Sequence, residues 1–119
     1  MEKKYMTTAA VKSVVDTLKD WYNENKGYFD DESDFYCGIT NDPETRKSQH
    51  ENQDHDGRTI TRMIAIECKD KDRAADVETK MEDEGFDIGN PPHEANGAAE
   101  DSKWVYLYKK PKIVFRPKK

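Results

Sequence analysis

Three side chains that can act on a phosphodiester are spaced so that they could meet in one place. Tyr36 lies in an apolar stretch that predicts a strand over 35–40, and the sequence after it predicts a helix over 43–52. Arg46 and His50 are four residues apart on that helix, so they share one face. A phenol, a guanidinium and an imidazole beside a strand-to-helix turn indicate a phosphodiester site.

The elements that position these residues follow from hydrophobic spacing and from residues that cap helices. Asp42 is a typical N-cap, and Pro43 suits the first position of the helix because its missing N–H is not needed there. Thr7 or Thr8 is the expected cap of an amphipathic first helix. The predicted elements are a helix at 7–25, a strand at 35–40, a helix at 43–52, a strand at 59–68, a helix at 71–84 and a strand at 103–108. This order predicts one α+β domain over 1–119, with a mostly antiparallel sheet of three or slightly more strands flanked by about three helices.

The predicted strand 59–68 contains residues that we expect on one face of the sheet, namely Ile60, Ile64, Ile66 and Cys68. Residues 87–102 form a long connection of the kind that is often functional or mobile. His55 and His93 match no zinc spacing and are expected to be solvated.

The string from Tyr36 to His50 resembles the second half of the GIY-YIG nuclease motif. Tyr36-Cys37-Gly38 is similar to the YIG element, Arg46 falls where the family's catalytic Arg falls, and His50 falls where its His falls. The resemblance covers 36–85 and implies a GIY-YIG-like fold for a motif core at 35–85.

The resemblance also implies a metal site. The family has a Glu on the helix after the third strand, and Ala74-Ala75-Asp76-Val77-Glu78 is similar to that pattern. Glu78 would then hold Mg²⁺ or Mn²⁺, Arg46 would neutralise charge on the reacting phosphate, and Tyr36 and His50 would help to activate water. Without the resemblance, Glu78 borders an apolar stripe and would simply reach solvent.

The GIY half of the motif is missing upstream of Tyr36. The C-terminal strand at 103–108 is expected to take the vacant sheet position, as in a permuted arrangement. Tyr106 or Tyr108 would then supply the missing phenol, and Tyr106 is included among the catalytic candidates.

Composition bounds the function. The chain has 119 residues, a net charge of −5 and 38% charged residues, and this acidic balance counts against generic nucleic-acid binding. The segment 103–119, which includes a tail at 109–119, is instead basic, and it either contacts a phosphate backbone or only aids solubility. Two cysteines without a CxxC spacing favour reduced thiols and a cytoplasmic location. No stretch predicts a membrane span.

Three functions remain open from the sequence. The first is a metal-dependent endonuclease that hydrolyses phosphodiester bonds in DNA. The second is a catalytically inactive nuclease-fold module that binds a protein or nucleic-acid partner, for which the acidic segment 82–100 would suit a basic partner unless it is merely solvated. The third is an unrelated α+β domain in which Arg46 and His50 are surface residues. The oligomeric state is not indicated.

Overall fold

The computed structural model describes residues 1–89 and 101–112. The elements in chain order are β1 (Glu2–Tyr5), α1 (Val11–Asn25), a short 3-10 helix (Glu32–Asp34), β2 (Phe35–Thr40), α2 (Pro43–Asp54), β3 (Met63–Glu67), α3 (Lys71–Asp83) and β4 (Trp104–Lys109). Three helices with a four-stranded sheet confirm the predicted α+β class.

The strands form one mixed sheet in the order β1-β3-β4-β2. β4 is antiparallel to β2 and β3, while β1 runs parallel to β3. β4, the last strand of the described residues, therefore lies inside the sheet between β3 and β2. Its neighbours are set by register, with Gly38 opposite Tyr106 and Tyr36 opposite Tyr108.

The first strand was not predicted, and the first helix begins later than predicted. β1 is an edge strand of three charged residues and Tyr5, exposed at each position, so it shows no apolar alternation. Its pairing continues through the Met6 N–H, which donates to the Glu67 carbonyl. The chain then needs residues 7–10 to turn, so α1 begins at Val11 and Ala10, rather than Thr7 or Thr8, is its N-cap.

The predicted N-cap of α2 is confirmed, and α3 has an aspartate N-cap of the same kind. The Asp42 carboxylate accepts a hydrogen bond from the Thr45 N–H at 3.2 Å, with Pro43 at the start of α2. The Asp70 carboxylate does the same for the Arg73 N–H at 2.8 Å. Asp42 thus fixes the start of the helix that carries Arg46 and His50.

The sheet has two different faces. One face packs against α1 and α3 and forms an aliphatic and aromatic core, whose strand residues include Cys37, Ile39, Ile64, Ile66, Val105 and Leu107. The other face carries Tyr36, Met63, Ala65, Tyr106 and Tyr108. On this second face α2 buries only Pro43 and His50. The candidate residues on the strands and on α2 therefore meet on the second face.

β3 is shorter than the predicted strand 59–68. Ile60 lies before the strand, where its N–H donates to the Glu51 carboxylate at 2.7 Å. Its side chain packs with Met63 on the tyrosine face, so the prediction that it shares a face with Ile64 and Ile66 was wrong. The chain leaves the regular strand path before Met63, and the two-residue alternation does not extend across that bend.

Several predictions concern residues outside the described ranges. His93, most of the acidic segment 82–100 and the tail from 113 onward belong to them. Within the described ranges, Cys37 and Cys68 are buried free thiols, as predicted. No helix of residues 1–89 and 101–112 has the length and apolar character needed to cross a membrane.

Candidate active site

The hydroxyl of Tyr106 lies at the centre of the tyrosine face. Tyr106 is 1% exposed and stands opposite Gly38 in the β2–β4 register. A Cβ atom built on Gly38 would lie 2.6 Å from Cζ of the Tyr106 ring, closer than packed carbon atoms approach. Gly38 therefore leaves the space that the Tyr106 phenol occupies.

His50 connects this hydroxyl to a carboxylate. Its Nε2 lies 2.7 Å from the Tyr106 hydroxyl, and its Nδ1 lies 2.6 Å from the Asp54 carboxylate. Burial lowers the pKa of His50 to about 4, although Asp54 opposes this shift. His50 is consequently neutral at pH 7. With its proton on Nδ1 it donates to Asp54, and Nε2 accepts the Tyr106 O–H.

Arg46 approaches the same hydroxyl from one turn earlier on α2. Its Nε donates to the Tyr106 oxygen at 3.4 Å, and its Nη1 donates to the side-chain oxygen of Gln49 at 3.0 Å. Burial opposes the charge of Arg46, but contact with Tyr106 raises its pKa, so the guanidinium remains cationic. Because the guanidinium is cationic and only half-buried, it is the group of this cluster that could bind an anion.

Two further aromatic residues enclose the His50 ring. The Tyr36 ring centroid lies 4.7 Å from that of His50, and the Tyr108 centroid lies 5.1 Å from it. Burial raises the pKa of both phenols above their usual range. His55 was expected to be solvated, but it is half-buried and shares a 2.9 Å hydrogen bond with the Tyr108 hydroxyl.

Glu78 reaches this region from the other side of the sheet. It lies on α3, which packs against the aliphatic face, and it is 7% exposed. Its negative charge adds to burial in raising the pKa of Tyr36, Cys37 and Tyr106. Tyr36 and Cys37 project to opposite faces of β2, so Glu78 lies near that edge strand and electrostatically close to both.

The donors present can be compared with what a magnesium ion needs. Among residues 1–89 and 101–112, no group of three or more His, Cys, Asp or Glu side chains could hold a metal ion. Magnesium, however, commonly keeps several waters and uses one or two carboxylates together with a substrate phosphate. Glu78 meets that smaller requirement as a single carboxylate, and the neutral His50 is committed to Tyr106 and Asp54.

The structure thus brings together four of the five candidates and adds residues that the sequence did not single out. Tyr36, Arg46, His50 and Tyr106 form one cluster, with Glu78 beside it across the edge strand. Asp54 was missed, although its spacing of four residues from His50 on one helix face was a usable signal. Comparisons with protein-family models, with curated proteins and with solved structures gave no match.

Proposed function

We propose that this protein is a metal-dependent endonuclease that hydrolyses phosphodiester bonds in DNA. The observation that carries the proposal is the position of the Tyr106 hydroxyl between a neutral imidazole and a guanidinium. The Tyr106 hydroxyl lies 2.7 Å from His50 Nε2, which can accept a proton, and 3.4 Å from Arg46 Nε, whose guanidinium can bind a phosphate.

The chain's own residues suggest how the reaction would proceed. A water molecule attacks phosphorus and gives its proton to the Tyr106 oxygen while Tyr106 passes its own proton to His50 Nε2. The bond between phosphorus and the leaving oxygen breaks, and that oxygen keeps the electron pair and takes a proton from solvent. Asp54 holds the His50 tautomer that can accept this proton and stabilises the imidazolium that forms. Arg46 stabilises the charge that builds on the phosphate oxygens, and it does so best in a site that excludes water.

Tyr36 and Glu78 have supporting parts in this mechanism. Tyr36 packs on the His50 ring and keeps it in place for the proton transfer. Glu78 would hold Mg²⁺ or Mn²⁺, which supplies Lewis acidity toward the phosphate and the leaving oxygen. Proton transfer and stabilisation of charge on the phosphate oxygens are carried out by the side chains around the Tyr106 hydroxyl.

The sheet topology supports the resemblance on which the proposal first rested. β4 is antiparallel to β2 and stands beside it, as the missing GIY strand of a hairpin would. Tyr106, rather than Tyr108, then supplies the missing phenol. The Tyr106 hydroxyl forms hydrogen bonds with both His50 and Arg46, whereas the Tyr108 hydroxyl forms one with His55. The buried free thiols agree with a cytoplasmic location, which remains part of the proposal.

A second function is favoured by the burial of the same cluster. Tyr36, His50 and Tyr106 are all buried, whereas Arg46 is half-buried, so three of the four clustered side chains offer little surface to a substrate. A cluster closed in this way also suits a nuclease-fold module that no longer cuts and that binds a protein or nucleic-acid partner.

Plasmid nicking with Mg²⁺ or Mn²⁺ tests the proposal. We expect wild type to nick DNA and Arg46→Ala, Glu78→Gln and Tyr106→Phe to lose most of that activity while remaining folded. Lys47→Ala on α2 and Glu82→Gln on α3 are matched controls and should cut normally, because Lys47 pairs with Glu51 and Glu82 is exposed. Absence of nicking by pure wild type with both metals would favour the binding module.

A further inference from the structure

A basic groove lies at the end of β4, just beyond the candidate active site. Its volume is about 330 Å³. Its lining includes four cations and two hydroxyl side chains, namely Arg62, Lys109, Lys110, Lys112, Thr59 and Thr61. We refer to these six residues as the basic groove.

The groove keeps an excess of positive charge after its ion pairs are counted. Lys109 and Lys112 pair with Asp30 at 2.7 Å and 2.6 Å, and Lys110 pairs with Asp87 at 2.9 Å. Arg62 donates to a neutral group, the Asn25 carbonyl, at 2.8 Å. Four cations against these two carboxylates and Asp34, whose charge acts on Lys112, leave a net charge of about +1 on a protein whose overall charge is −5.

Two exposed aromatic side chains belong to a turn whose flanking residues, Asn25 and Asp30, contact the cations of this groove. Tyr28 and Phe29 are 92% and 89% exposed, and their ring centroids are 4.8 Å apart. The turn that carries them is closed by the Gly27 N–H, which donates to the Asp30 carboxylate at 2.6 Å. Two neighbouring aromatic side chains as exposed as these contribute little to the core, so a ligand could bury their rings.

The same contacts attach this aromatic pair to the groove on both sides. Before the pair, the Asn25 carbonyl accepts from Arg62, and after it Asp30 binds Lys109 and Lys112. Hydrogen bonds with Lys109, Lys112 and Gly27 hold the pKa of the buried Asp30 carboxyl well below its usual range. Asp30 therefore stays ionised and binds the turn to both lysines. The turn that carries the two rings is therefore attached at both ends to the residues that carry the cations.

We propose that the basic groove and the Tyr28–Phe29 pair together bind an unpaired nucleic-acid strand. Phosphates lie along the cations, and bases stack on the two rings, which offer the sequence-tolerant contact that single-stranded nucleic acid uses. An acidic peptide would satisfy the cations but would leave the aromatic pair without a partner. Lys110 follows Tyr106 by four residues along the chain, about 13 Å at the rise of a strand, so a bound strand lies beside the candidate active site. The binding surface does not require that site to cut.

Fluorescence anisotropy with a labelled oligothymidylate of about 15 nucleotides tests the proposal, in EDTA so that cleavage plays no part. We expect saturable binding by wild type and binding at least about thirtyfold weaker by Tyr28→Ala/Phe29→Ala, with its salt dependence unchanged, since two stacked bases are lost but phosphate contacts are kept. Arg62→Ala/Lys110→Ala should also bind more weakly, and its slope of log K against log salt should fall by about 1.4 for two lost phosphate contacts.

Matched controls separate this surface from general charge and hydrophobicity. Tyr5→Ala removes an aromatic that is 69% exposed on the opposite edge strand, and Lys12→Ala removes an exposed lysine on α1. Both should bind like wild type. The proposal would be overturned by no saturable binding of the oligonucleotide, by wild-type affinity in both groove variants, or by equal competition from polyglutamate. Because EDTA prevents cutting, a failed nicking assay leaves these outcomes unaffected.

Discussion

Gly38→Ala tests whether the Tyr106 phenol is held as tightly as the structure indicates. The added Cβ would lie 2.6 Å from Cζ of the Tyr106 ring. The ring cannot easily move aside, because His50 and Arg46 hold its hydroxyl and the stacked Tyr36 and Tyr108 rings lie nearby. Relief therefore requires either a shift of β4 relative to β2 or loss of the hydrogen bond to His50.

The size of the effect follows from three contributions. Overpacking of a filled core costs about 1–3 kcal/mol of the free energy of unfolding, and a lost hydrogen bond adds about 1 kcal/mol. Replacement of a strand glycine by alanine returns about 0.5–1 kcal/mol, because the unfolded chain becomes less flexible. We expect a net loss of about 2 kcal/mol, or a fall in Tm of about 8 °C for a domain of this size.

Urea unfolding followed by circular dichroism measures this loss, and a second background identifies its source. In Tyr106→Leu the atoms that meet the new Cβ are removed, so Gly38→Ala should then cost less than about 0.5 kcal/mol. An equal cost in both backgrounds would show that Tyr106 is not the obstacle. Wild-type stability of Gly38→Ala alone would refute the close packing itself.

Three other measurements test the electrostatics and burial on which the site depends. Burial lowers the pKa of His50 from 6.5 to about 4, so between these pH values the unfolded chain binds more protons than the folded protein. The free energy of unfolding should therefore rise by up to ~3 kcal/mol from pH 4 to 6.5. His50→Gln should flatten this rise, as measured by urea titrations at each pH. Burial raises the pKa of Cys37 and Cys68, so a thiol reagent should label neither in the native protein at pH 8 and both in urea, and rapid native labelling would contradict their burial. Asp30→Asn should lower the free energy of unfolding by about 2 kcal/mol, because its hydrogen bonds with charged lysines are weakened. The exposed Asp16→Asn should change the free energy of unfolding little. Equal effects of the two substitutions in thermal melts would contradict a stabilising role for the Asp30 contacts.

The local signals in the sequence predicted most of the fold. Asp42 and Pro43 located the start of α2, an apolar stripe located α3, and short apolar stretches located β2 and β4. The strand Glu2–Tyr5 could not be found in this way, since its pairing is made by backbone groups while its side chains are exposed and three of the four are charged. The start of α1 shifted for the same reason, because the turn after β1 uses residues that would otherwise suit a helix.

The site was predictable only where its parts are close in the chain. Arg46 and His50 share a helix face, and so does Asp54, whose part a wider search at a spacing of four residues would have found. Tyr106 lies 56 residues from its hydrogen-bond partner His50, so the contact depends on the strand order rather than on spacing. The closeness of Gly38 to the Tyr106 ring likewise requires the register of β2 against β4, which no local pattern specifies.

The central position of β4 links completion of the fold to assembly of both proposed surfaces. β4 pairs on both sides, with β2 and with β3, although it is the last described strand of the chain. It carries Tyr106 into the candidate active site and leads directly to the lysines of the basic groove. Without β4, Gly38 has no Tyr106 ring opposite it, and His50 Nε2 lacks the hydroxyl that donates to it. Neither surface can therefore form in a chain whose sheet is incomplete, and substitutions that loosen β4 should weaken nicking and strand binding together, whereas those in the Tyr28–Phe29 pair should weaken strand binding without changing the contacts around His50.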